Sequence, residues 1–290
     1  MLNVIHMEIN RLIRSRSLYI ALGICAGLVI IFIMALGALM DFTEDLVIVS
    51  GGDAATGMAV SEGDFSAGIT VSASDASLAP TPNPVSFCSS IVSGLCLLFV
   101  VIYTASFVHA FYKDGYSKNV IGCVKYRYYF QIAKSVCVAA ISGIFLVGAS
   151  IAAMLSAVIF VKGFTFGHMG LYFVFLLGEF FLLTAVGLLS AFLTELTMGK
   201  VTAIVYILLA MTSLVSAILS FVDNKLSQIL HTEVELSNFL PSLYHSSFSI
   251  STTDTASNGG NLAHALVLSI IFIAIYNAAG AYLITKRDVK

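Results

Sequence analysis

Charged residues are scarce in this chain. Asp, Glu, Lys and Arg make up 10% of it and hydrophobic residues 59%, whereas soluble domains carry roughly a quarter charged residues. This excludes a water-soluble globular domain and marks an integral membrane protein. Catalytic patterns are missing too. There is no HExxH, no GxSxG and no pair of Asp residues inside an apolar run, so the reactions that polytopic membrane enzymes run have no residues here to run them. Met198-Gly199-Lys200-Val201-Thr202 has a superficial likeness to a phosphate loop, but Thr194 stands where that pattern needs its first Gly, and Val201 follows the Lys. The chain is expected to be no enzyme and to bind no nucleotide, so energy for any active process comes from elsewhere.

Cysteine and histidine are sparse and badly placed for metal or redox work. Cys25, Cys88, Cys96 and Cys137 lie in or at the edges of apolar runs, Cys123 lies in a basic stretch, and no CxxC occurs. No two histidines stand at i, i+4; His109 reads as an interfacial residue, and His231, Glu233 and Glu235 diverge if they are helical. No metal site is expected.

What the chain has is long apolar runs. Leu18–Met40, Phe87–Tyr112, Ser135–Val161, Gly170–Leu193, Val201–Val222 and Ala263–Thr285 each reach the length of about 20 residues that a bilayer core requires. The fold expected is all-α, a polytopic membrane protein of six transmembrane helices. The first run is too long for a cleaved signal peptide and is followed by acids rather than a small-residue site, so it is expected to stay attached. Basic residues set the orientation. With the N-terminus, 113–134, 194–200 and the C-terminal tail inside, 12 of the 14 basic residues are inside, and Lys162 and Lys225 are outside. Both termini are then cytoplasmic. Eleven of the 16 acids fall on the opposite side, so the net charge of −2 averages a basic inner face and an acidic outer one. It points to no nucleic-acid partner.

The chain reads as one transmembrane domain, 1–290. Residues 1–17 precede the first span: Leu2, Ile5, Ile9, Leu12 and Ile13 share one helical face and Asn3, Met7, Asn10, Arg11 and Arg14 the other, the pattern of an amphipathic helix lying in the inner interface with its basic face toward lipid headgroups. An ordinary positive flank that happens to be helical gives the same pattern. Residues 41–86 form an acidic outer loop with short β-like runs at Leu46–Val49 and Ile69–Val71, too poor in apolar residues for a core of its own. A second outer loop, 223–262, holds a helical pattern at Lys225–Leu236 and then Phe239-Leu240-Pro241.

Glu179 is the one ionisable residue well inside a span. A central acid costs about 3 kcal/mol on the insertion scale, against about −6 kcal/mol from the Leu, Phe and Val residues around it. Insertion therefore tolerates it. Glu179 either faces a pathway or gate or makes a structural hydrogen bond to a neighbouring helix in its protonated form; no partner base is visible in the other spans.

The longest polar break among the spans is Lys113–Lys134, KDGYSKNVIGCVKYRYYFQIAK. Lys113, Lys118, Lys125, Arg127 and Lys134 stand there against the single acid Asp114, with Asn119-Val120-Ile121 and Val124 between them. Positive charge alone is explained by topology. The apolar pair flanked by charge is more specific, because a short amphipathic helix of this kind is a knob for a groove on a soluble partner. The order Asp114-Gly115, Lys118-Asn119, Val120-Ile121, Arg127 with aromatics at 128 to 130, and then Lys134 resembles the cytoplasmic coupling segment of type-2 ABC transporter permeases. The likeness extends to Arg14-Ser15-Arg16-Ser17, to six spans with both ends inside, to Leu240-Pro241 before the last span and to Arg287-Asp288. It covers the whole chain in layout, but in residues only this segment and the N-terminal stretch. Tyr116 departs from the small hydroxyl residue usual after the Gly, and the first outer loop is longer than in many relatives, which leaves the substrate open.

The resemblance implies that Gly115, Lys118, Asn119, Val120, Ile121 and Arg127 contact a separate ATP-binding-cassette ATPase subunit, which alone holds ATP and Mg. It also implies a second permease copy, identical or a close paralogue, in a bacterial cytoplasmic membrane. Peptide export and self-protection against antimicrobial peptides are common tasks of such permeases. Apolar and aromatic spans without strong charge suit an amphipathic peptide or lipid-like molecule better than an ion or a sugar; polyketide-type drugs and lipid-linked glycans are the alternatives. A reading from another class is a non-transporting membrane anchor or sensor whose basic inner segment binds a regulatory partner. Topology is checked first with a reporter active only in the cytoplasm, which should be active after Lys125 and after Lys290 and silent after Thr56 and Ser251. A silent C-terminal fusion beside an active one at Thr56 reverses the orientation.

Overall fold

The bilayer core offers the backbone no water, so an apolar run closes its hydrogen bonds within itself and becomes a helix. The computed structural model describes residues 2–49, 84–113, 128–211, 236–250 and 255–286, and these are all-helical with no strand among them. Helix α1 (Leu2–Arg14) breaks at Ser15 and leads into α2 (Arg16–Val49). A π-helical turn at Pro84–Cys88 runs into α3 (Ser89–Lys113), followed by α4 (Tyr128–Phe160) and α5 (Met169–Thr197). Next come α6 (Lys200–Met211), a 3-10 turn at Leu236–Phe239, the short α7 (Pro241–Ser247) and α8 (Thr255–Lys286). Pro241 opens α7, where its missing N–H and fixed φ fit the first helical position.

Five of these helices are long and apolar enough to cross a membrane: Arg16–Ala38 of α2, all of α3, α4 and α5, and Asn258–Lys286 of α8. The window Val201–Val222, expected as a span, is described only to Met211, as α6; the rest lies outside the described residues. So do Ile69–Val71 and most of Lys225–Leu236. Leu46–Val49, expected as β-like, instead continues α2. Extending a formed helix costs far less than nucleating a new element, and that outweighs the local β preference.

Helix ends also run past the apolar windows. α4 has 33 residues, about 50 Å at 1.5 Å per residue, against about 30 Å of hydrocarbon. Its first two turns, including Lys134, precede the apolar run. Lys134 therefore belongs to a helix and is buried, although the sequence placed it in a cytoplasmic segment.

α5 is the axis of the bundle and packs against α3, α4, α6, α7 and α8, while α2 lies on α3 and α4. Buried residues reach 72% of the apolar window in α3 but 22% in α2 and α8, so those two turn Ile20, Ile24, Ile31, Val267, Ile271 and Ile275 outward. α1 packs on α4 with Glu8 and Leu12 buried and Ile13 exposed. Asn3, Met7, Asn10 and Arg14 are exposed as the face division expects, and it is corrected only at Ile13 and Arg11. Arg11, assigned to the headgroup side, lies over the Phe107 and Phe111 rings of α3.

Close helix approach depends on glycine at the α2–α4 contact. A Cβ on Gly37 meets the Phe160 carbonyl oxygen at 2.7 Å, and a backbone atom cannot swing aside, whereas Gly23 has nothing within 4 Å. Gly37→Ala should therefore lower stability by about 1 to 3 kcal/mol, and Gly23→Ala should not. Unfolding of both variants in detergent checks this; equal stability would show that α2 and α4 separate freely.

Candidate functional site

Ionisable side chains buried between spans are expensive unless paired, and they lie in two layers. The near end of the bundle is where α3 stops at Lys113 and α4 starts at Tyr128. There Lys134 of α4 pairs directly with Glu195 of α5, both 2% exposed. The Lys134 Nζ also donates to the Tyr112 hydroxyl at 3.3 Å and lies 4.7 Å from the Phe130 ring centroid. Rings on the cation's flanks replace water with a polarisable wall.

A second cationic contact sits beside the first. The Arg11 guanidinium is 5.2 Å from the Phe107 centroid and 5.4 Å from that of Phe111, and 3.7 Å from the fully buried Glu8 carboxylate. The break after α1 is pinned to α3, since the Ser15 and Tyr103 hydroxyls are 2.8 Å apart. Ser135 of α4 donates to the Asn277 side-chain carbonyl of α8. α1, α3, α4, α5 and α8 are thus joined at one end by polar contacts. This arrangement holds the helices in register.

The far end carries Glu179. It lies ten residues after Met169 at the start of α5, about 15 Å along the helix. His245 lies beside it, with Nε2 2.5 Å from Oε1 and both residues buried, but the geometry makes no hydrogen bond at Glu179 Oε1, Oε2 or His245 Nε2 among the described residues. His245 sits on α7, so the base comes from a short helix packed against α5, α6 and α8 rather than from one of the five long helices. Gly178 makes the slot: a Cβ at that position would collide with the Phe248 ring, which stacks on Phe175 at 5.8 Å.

Gly115, Lys118, Asn119, Val120, Ile121 and Arg127 lie outside the described residues. Their flanks are described: the stretch 114–127 is bracketed by α3 and α4, the two helices tied to α1 and α5 at the near end. Sequence reasoning missed Glu195 and Glu8. Each sat near a span end, where an acid reads as an exposed flank, and only the Arg three residues after Glu8 was a signal. Among the described residues no cluster of His, Cys, Asp and Glu is suited to a metal, and Cys25, Cys88, Cys96 and Cys137 are buried free thiols.

No family model, curated protein or solved structure matches the chain. The architecture defines its class: among the described residues the chain is all-helical, with five helices there suited to crossing a membrane.

Lys134→Met strips Glu195 of its cation and should cost about 3 to 5 kcal/mol, while Lys134→Met combined with Glu195→Leu should recover most of that loss. Thermal unfolding in detergent reads both. A double variant no more stable than the single one would show that other contacts hold α4 to α5.

Proposed function

We propose that the chain is the membrane-spanning subunit of a type-2 ABC transporter, exporting an amphipathic or hydrophobic substrate, a peptide foremost, with energy from a separate ATPase subunit. On this reading six spans cross a bacterial cytoplasmic membrane with both termini inside. α1 lies along the inner interface, two permease copies flank the pathway, and residues 114–127 dock on the ATPase. The reading rests on the residue order of that stretch. One geometric observation carries it further: the two helices that leave the stretch are joined at their roots to α1 and α5 through Lys134–Glu195, Lys134–Tyr112 and Arg11 over Phe107 and Phe111. A push on residues 114–127 is then delivered to several helices together. An anchor or sensor has no such need for its docking loop to be tied to the bundle axis.

In this assignment Val120 and Ile121 are the apolar knob, and Lys118 and Arg127 frame it with charge. Burying each aliphatic side chain contributes about 1.5 to 3 kcal/mol, and a carboxylate in its place is left unpaired in the groove. Val120→Asp with Ile121→Asp should release the ATPase, and Lys118→Ala should weaken it only modestly, because rim charges act mainly on association rate and orientation. Co-purification of the cognate ATPase with tagged variants, read beside ATP hydrolysis, is the test. Retention of the ATPase by the double Asp variant at wild-type stoichiometry would reduce the stretch to a topology signal and favour the anchor reading.

A further inference from the structure

The break between α1 and α2 is a fixed point on the surface of the bundle. The Ser15 hydroxyl donates to the Leu12 carbonyl at 2.7 Å and lies 2.8 Å from the Tyr103 hydroxyl of α3, and Leu12 and Leu18 on either side are buried. Arg14 closes α1 and Arg16 opens α2, so two guanidinium side chains leave the backbone on the two sides of a residue that is held in place. Both are exposed, and neither makes an ion pair among the described residues. The acid nearest to them in sequence, Glu8, is fully buried beside Arg11. It offsets neither charge.

Two unlike surfaces meet at this break. On α1 the exposed face that ends at Arg14 carries the amides of Asn10 and Asn3, at spacings of four and seven along the helix. On α2 the exposed face that begins at Arg16 is apolar, with Tyr19, Ile20, Ile24 and Ile30 following at helical spacing and Tyr19 and Ile20 exposed at 58% and 61%. An occupant that suits both is amphipathic, with an anion at the break, polar groups along α1 and hydrocarbon along α2. A guanidinium takes phosphate oxygens through two parallel N–H donors. A soluble anion would leave the apolar face unused, and a zwitterionic phospholipid brings its own cation to a place that already holds two. Lys113, Lys200 and Lys286 are exposed at the same end but stand on separate helices, α3, α6 and α8, and Lys286 donates to the Tyr282 hydroxyl at 3.0 Å. Among the described residues, only the break sets two exposed bases beside one fixed residue.

We infer that Arg14 and Arg16 form the headgroup site of a bound anionic phospholipid, whose phosphate rests on the two guanidiniums and whose acyl chains lie along Tyr19, Ile20 and Ile24 of α2. The lipid bridges α1 and α2 where the helical hydrogen bonding between them is interrupted. This site shares with the transport reading only the placement of α1 at a membrane interface; its test needs neither ATPase nor nucleotide, so either can fail alone.

The chain contains no tryptophan, so a single introduced tryptophan reports on the lipid beside it. The full chain is reconstituted as Tyr19→Trp, at the site, and separately as Ile275→Trp, on the outward face of α8. The bilayers are phosphatidylcholine with either brominated phosphatidylglycerol or brominated phosphatidylcholine in equal amount. Bromine quenches tryptophan only at close range, and comparing the two quenching curves gives the relative affinity of the lipids at one position whatever its depth. Tyr19→Trp should prefer phosphatidylglycerol roughly tenfold, the order expected of two bases near an anionic headgroup, and Ile275→Trp should show no preference. Arg14→Gln with Arg16→Gln in the Tyr19→Trp chain should abolish the preference. Arg14→Lys with Arg16→Lys should keep only part of it, because ammonium retains the charge without the paired donors. Inorganic phosphate, set against chloride at equal ionic strength, should change nothing; a preference lost to phosphate alone assigns the arginines to a soluble anion and overturns the lipid site. Equal preference at the two tryptophan positions, or a preference undiminished by the Gln pair or the Lys pair, overturns it as well. Where the Gln pair fails to insert, the Lys pair and the comparison of the two positions decide.

Discussion

Each buried carboxylate among the described residues lies beside a basic side chain, because the low dielectric between spans makes an isolated charge far more costly than a paired one. Glu8 is approached by Arg11 of its own helix, Glu195 by Lys134 of the neighbouring helix, and Glu179 by His245 of the short helix α7. The rest of the structure is arranged to make these meetings possible. α4 starts two turns early, which brings Lys134 to α5, and α7 packs on α5, which brings His245 to Glu179.

α5 carries an acid of this kind in each half, Glu179 and Glu195, which is why it forms the axis. Small residues let its neighbours come close enough. Gly178 leaves room for Phe248, and Gly187 lies where a Cβ would meet Val138 of α4 at 2.8 Å and Val100 of α3 at 3.3 Å. In lipid the apolar side chains have no net preference for one another over acyl tails, so close packing of this kind and polar pairing hold the helices together. The outward faces of α2 and α8 need no partner for the same reason.

The two layers tie different parts of the bundle: the near layer joins the helices that flank residues 114–127 to α1 and α5, and the far layer sets Glu179 beside His245 of α7, with Phe248 against Phe175 and Tyr244 against His264.

The sequence by itself determined that this is an all-helical membrane protein, where five of its long helices run, and that Glu179 is out of place in a span. Runs of apolar residues and a lone acid are local signals, and local signals survive without knowledge of the fold. Only the tertiary structure decided what Glu179 meets, because His245 lies 66 residues further along, in a stretch whose own pattern reads as an outer loop. The pairing of Lys134 with Glu195 and the turn of Arg11 toward Phe107 and Phe111 were hidden for the same reason. A charge near a span end looks the same in sequence whether it faces headgroups or a neighbouring helix, and the choice is made by which helices pack side by side.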